Sequence, residues 1–145
     1  MQSIILPVIL GLIGGAAVGL QGPLSSLMSQ RLGILESVFI VHLGGALAAG
    51  LPLLFMRGGN LGAWRSVPWY ALGAGVLGLV VLSAVSITIP RLGSTATVAL
   101  IVAAQLVIGV LLDHFGLLEI PVRSLDLSRC AGIAALLLGT WLLVK

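Results

Sequence analysis

The chain has 145 residues, of which 59% are hydrophobic and 8% charged, too little polar surface to cover a soluble globule. Seven Lys and Arg stand against four Asp and Glu, spread singly through the joins between apolar stretches rather than gathered into a stripe, so nucleic acid is not implied as a partner. The lone cysteine, Cys130, excludes a disulfide framework and a Cys-rich metal site. Paired acids, a nucleophile with a base at motif spacing and a metal-ligand cluster are all missing from the sequence, which argues against an enzyme and implies no cofactor and no metal.

Five apolar stretches predict an all-α membrane protein with transmembrane helices over about 3–30, 36–56, 67–89, 94–115 and 128–144, one transmembrane domain over 1–145. Each reaches about 20 residues, the length of a hydrocarbon core at 1.5 Å per residue. Charged side chains crowd the joins and the helix ends and avoid the interiors of the stretches, as a lipid solvent requires. Met1-Gln2-Ser3 lacks the basic region of a signal peptide, so the first stretch is read as a retained span.

In the first helix, Gly11, Gly15 and Gly19 recur every four residues, spacing that lets another backbone approach closely. Gln21-Gly22-Pro23 follows, and because Pro23 cannot donate a backbone bond, Gly22 and Pro23 are expected to break the helix beside protein or a wet cavity. Gln21 is a pocket candidate, or else an interfacial cap. The second helix is expected to begin after Glu36 and Ser37, suited to a helix N-terminus by charge and capping. His42 lies about two turns in, on a face with Gly45, Ala46 and Ala49, either as a proton carrier or as a neutral hydrogen-bonded neighbour of another helix.

The third helix carries Ser83 and Ser86 before Pro90, which frees the carbonyl of Ser86; the two hydroxyls either satisfy local backbone or line a cavity. In the fourth, Ser94, Thr97, Ile101 and Gln105 share a face. Gln105 is a mid-span amide that needs partners hydrocarbon cannot supply. Asp113 closes that helix, as a solvated end or as a pathway mouth. Asp126 or Ser128 can cap the fifth helix, where Ala131, Ala135 and Gly139 form a small-residue stripe for dimer contact or intrachain packing.

Five crossings put the termini on opposite sides. Arg57, Arg65, Arg123 and Arg129 then share one face; Arg31, Arg91 and Lys145 share the other. An excess of one, or two with the terminal amine, is a weak instruction for orientation, so insertion in both directions is expected, the alternative being a single orientation with the Arg57 face in the cytoplasm. Two copies inserted oppositely would form an antiparallel homodimer, reproducing the inverted repeat many transporters carry in one chain.

Taken together, the Gly-rich first helix leading into Gln21-Gly22-Pro23-Leu24, the run Pro90-Arg91-Leu92-Gly93-Ser94, and Gln105-Leu106 followed by Asp113-His114-Phe115-Gly116 resemble the YdcZ-like branch of the drug/metabolite transporter superfamily over nearly the whole chain. The resemblance implies five helices forming half of a ten-helix transporter, members that pair as antiparallel homodimers or heterodimers with a related chain, and a multi-pass protein of the bacterial inner membrane. Small multidrug exporters of the same superfamily use a glutamate in the first helix, and no acid stands there in this sequence. Neutral or weakly polar substrates therefore suit Gln21, His42, Ser83, Ser86 and Gln105 better than bulky cations. The expected function is small-molecule transport through a central alternating-access pathway in the bilayer; the alternative is a non-transporting membrane scaffold or partner subunit.

Overall fold

A computed structural model describes residues 4–145; Met1, Gln2 and Ser3, which include the expected start of the first helix and the signal-peptide reading, lie outside the described residues. The described residues form helices α1 (Ile5–Leu32), α2 (Ile34–Phe55), α3 (Trp69–Leu72), α4 (Ala74–Phe115) and α5 (Leu127–Val144), with two 3-10 turns and no strand. Four stretches are long and apolar enough to cross a membrane, the third being the 47 residues Trp69–Phe115. Straight, that stretch would run about 70 Å, more than twice a hydrocarbon core. Its helical dihedrals fail at Gly93 (φ 79°, ψ 165°), leaving two segments of spanning length, 69–92 and 94–115. The molecule is an all-α membrane protein, and its large apolar side chains stay uncovered by the chain because lipid is their solvent.

The chain divides into two units, Met1–Pro90 and Arg91–Lys145. In the first, α1 and α2 are joined through Gly33, whose φ of 113° and ψ of 158° suit only glycine. The buried residues between helices include the small polar Ser25, Ser26 and Ser37 beside the apolar Val38, Leu82 and Val85. Gly22 is buried because α4 comes close; a Cβ there would meet Val85 Cγ1 at 3.3 Å and Ile89 Cδ1 at 3.6 Å. With so little lateral hydrophobic drive in lipid, close approach over small residues supplies the packing.

The second unit pairs 94–115 with α5. Gly116 in the left-handed region (φ 62°) ends the first, and Arg123 N–H donates to the Asp113 carbonyl at 2.8 Å, folding the join back on the helix it leaves. Asp126 caps α5: its Oδ1 accepts from Arg129 N–H and from the Ser128 hydroxyl, both at 2.7 Å. Those bonds, the Arg129 N–H first, hold the exposed Asp126 carboxyl below the ordinary carboxylate value. Thr140 Oγ1 donates to the Leu136 carbonyl at 2.8 Å and reaches the Ala99 carbonyl at 3.4 Å, tying α5 to its neighbour.

Two local expectations need correction. The helix does not break at Gly22 and Pro23, because α1 continues through both to Leu32. A proline in a membrane helix removes one ladder bond, and a well-packed neighbour, here α4 over Gly22, lets the helix carry on. Ser37 does not cap α2 either. That helix starts at Ile34 with Gly33 as its N-cap and no side-chain cap bond, while Ser37 points into the unit and Glu36 sits in the first turn.

An internal repeat emerges from backbone and burial together. Arg31-Leu32-Gly33 recurs sixty positions later as Arg91-Leu92-Gly93, and both glycines have positive φ with ψ near 160°. Around them, buried Gly22, Ser25, Ser26 and Ser37 correspond to buried Leu82, Val85, Ser86 and Thr97. Trp64 with Arg65 and Trp141 with Lys145, at 5.5 and 5.1 Å from cation to ring, place amphipathic anchors outside the apolar stretches and at the end of α5.

Candidate functional site

The second unit holds a groove of about 640 Å³ between 94–115 and α5. Gln105, Gly109 and Asp113 lie along one wall at four-residue spacing, and Arg129 and Gly132 stand opposite. Neither glycine has an atom within 4 Å of where a Cβ would sit, so both leave open floor. Arg129 Nη1 lies 3.5 Å from Asp113 Oδ2, each side chain about one-third exposed (35% and 34%). The pair closes one end of the groove, and its charges offset, so neither a lone cation nor a lone anion meets an uncompensated partner there. Gln105 makes no hydrogen bond with the described residues and remains uncovered by the chain. In a hydrocarbon environment that amide needs a hydrogen-bond partner that the second unit does not supply.

In the first unit, His42 Nδ1 lies 2.8 Å from the Val38 carbonyl. A carbonyl only accepts, so Nδ1 carries the hydrogen, and in the neutral ring Nε2 presents a lone pair. That nitrogen hangs over Gly78, where a Cβ would come within 2.6 Å of it. Leu35, Phe39, Gly75, Val76 and Leu79 line a groove of about 350 Å³ beside the ring. The ring thus bonds within its own helix rather than to another one, and its second nitrogen stays open over Gly78.

The remaining candidates are dispersed. Gln21 lies on the uncovered side of α1 next to buried Gly22, Ser83 is half-buried, and Ser86 is 5% exposed with its hydroxyl unpartnered among the described residues. None of the three lines the groove beside His42. The faces at Gly11 and Gly15 are open, Gly19 is partly covered, Ala131 and Ala135 are exposed, and Gly139 turns inward to line a second groove with Thr140 and Ala99.

Two features escape a reading by residue type. Arg129 counts in the sequence as an orientation charge, whereas the fold pairs it with Asp113; the fifteen intervening residues give no periodicity that would reveal this. A serine cluster holds the first hairpin: Ser25 Oγ and Ser37 Oγ lie 3.2 Å apart, Ser37 Oγ donates to the Ser25 carbonyl at 2.9 Å, Ser29 Oγ donates to the Ser26 carbonyl at 2.9 Å, and Gln30 Nε2 reaches Ser26 Oγ at 3.4 Å. The available signal was small polar residues placed on both sides of Gly33, at helix spacing from it.

A family model described as "Putative inner membrane exporter, YdcZ" matches residues 6–142. Over 80 residues the chain is 35% identical to "Inner membrane protein YdcZ" of Escherichia coli (strain K12), an alignment that covers 55% of this chain and 53% of that protein. The chain thus aligns with about half the length of this curated relative. No solved structure matches.

Proposed function

The chain belongs to the YdcZ family of inner-membrane proteins, and we propose that it is a small-molecule transporter working as a dual-topology antiparallel homodimer with a central alternating-access pathway. The observation that carries this reading is depth. Gln21 and His42 lie roughly two to three residues, about 4 Å, from the midpoints of α1 and α2, and Gln105 sits at the midpoint of 94–115. Three polar side chains at mid-span, left open by the monomer, fit a shared midplane site between inverted copies. Gln21 and Gln105 would bind a neutral or weakly polar substrate by hydrogen bonds, Ser83 and Ser86 would line the pathway, and His42 would carry the proton where transport is proton-coupled.

Solute flux in proteoliposomes at two pH values tests this. Gln21→Leu and Gln105→Leu are expected to abolish flux, and His42→Ala to flatten its pH dependence; an unchanged pH profile in His42→Ala removes the proton role. The open glycine face at Gly11 and Gly15 favours a second reading, a scaffold or partner subunit built for assembly. On that reading the glutamine variants keep full activity, while bulky residues at Gly15 or Ala135 abolish association.

A further inference from the structure

We infer that Gln105 meets Gln105 of a second copy of this chain, the two amides pairing across the dimer axis. The inference rests on the antiparallel dimer proposed above and specifies its contact. A two-fold axis lying in the membrane plane sends every atom at one depth to the same depth on the opposite side of the midplane. A residue can therefore face its own counterpart only at the midplane. Gln105 satisfies that condition: it lies half a residue, about 1 Å along the axis, from the midpoint of 94–115.

Its chemistry fits the same symmetry. A primary amide carries both donors and an acceptor, so two of them related by a two-fold exchange reciprocal hydrogen bonds with no third party. No described residue bonds to the Gln105 side chain, which is left exposed. One turn away, Gly109 has open space where a Cβ would stand, so a second helix can approach closely enough for the short amides to meet. A substrate reaching the midplane would take over the hydrogen bonds that the amides otherwise give each other, which reconciles a contact role with a substrate role at one residue.

The test is cysteine cross-linking in native membranes, in a Cys130→Ser background, with Gln105→Cys, Ile101→Cys and Gly109→Cys made singly and oxidised by a membrane-permeant oxidant. Gln105→Cys is expected to form a disulfide-linked dimer. Differently tagged Ile101→Cys and Gly109→Cys chains, coexpressed, are expected to link to each other but not to themselves. In an antiparallel pair crossing at 105, identical positions four residues off centre are about 12 Å apart along the axis, beyond the 4.4–6.8 Å Cα range of a disulfide. Self-links at 101 and 109 without the crossed product mean neighbours oriented alike, which overturns the inference and the antiparallel reading together. Absence of a link at 105, alongside C-terminal reporters that signal from both sides of the membrane, overturns the inference alone. In detergent, Gln105→Leu is expected to weaken dimerisation about five- to thirty-fold, with Gln105→Asn intermediate; an unchanged dissociation constant for Gln105→Leu also refutes the amide pair.

Discussion

Replacing Ser37 with alanine tests whether buried hydroxyls hold the first hairpin. Ser37 Oγ donates to the Ser25 carbonyl at 2.9 Å and lies 3.2 Å from Ser25 Oγ, and both residues are 0% exposed. Its single donor goes to the carbonyl, so Ser25 Oγ donates in the second bond. Interhelical hydrogen bonds in membranes average about 0.6 kcal/mol and reach about 1.7. Ser37→Ala removes two, for an expected loss of about 1.2 kcal/mol, limited because the orphaned Ser25 hydroxyl can turn to a carbonyl one helical turn back. Ser25→Ala removes only one, since the backbone carbonyl at 25 survives the substitution; its expected cost is about 0.6 kcal/mol. Unfolding by SDS titration in mixed micelles, followed by far-ultraviolet circular dichroism, would give both values and the coupling from the double variant. The reasoning predicts an asymmetry of about two. A Ser25→Ala cost equal to or above that of Ser37→Ala would refute it.

Gly33→Ala and Gly93→Ala are each expected to destabilise by about 1–3 kcal/mol, because both positions occupy backbone conformations open essentially to glycine, and the same SDS titration measures it. Gly78→Val is expected to push the His42 ring out of its place and to reproduce the flux phenotype of His42→Ala; normal flux at both pH values would separate the ring's position from its role. The Asp126 carboxyl is held below its ordinary value, so its contribution to α5 is fully present above the unfolded value of about 3.9 and is lost as pH falls through the lower folded value. Amide exchange at Ser128 and Arg129 should therefore accelerate only in that acid window, and Asp126→Asn should remove the pH dependence.

The helical class and the places of the joins were legible because lipid separates charge from apolar runs along the chain itself. The cap at Asp126 was readable for a similar reason, since an N-cap bond spans three residues. Pro23 shows where such reading stops: proline's local effect is a lost bond, and whether a helix ends there depends on the neighbour packed against it. Ser25, Ser26 and Ser37 look like ordinary small polar residues until Gly33 folds α1 against α2 and brings two of them within bonding distance. Arg129 and Asp113 meet only because Gly116 and the Arg123 backbone bond turn the chain between them. The Arg-Leu-Gly repeat lies in plain view as three letters, yet three letters recur by chance; matching dihedrals and burial give it weight.

That repeat also explains why the orientation charges nearly cancel. On the proposed five-span topology, each helix pair brings one arginine to one face at its Arg-Leu-Gly turn, Arg31 or Arg91, and two to the other face in the join that follows, Arg57 and Arg65 or Arg123 and Arg129. Two such pairs alone would leave four against two, a tally that fixes an orientation. The fifth helix crosses once more and delivers Lys145 to the poorer face, reducing the excess to one. Lys145→Gln should therefore restore the bias and raise the periplasmic share of a C-terminal reporter, whereas Arg57→Gln should lower it. Paired reporters active only in the cytoplasm or only in the periplasm would measure both shifts. A ratio that ignores both substitutions would mean that something other than this tally orients the chain, and dual insertion would lose its physical basis.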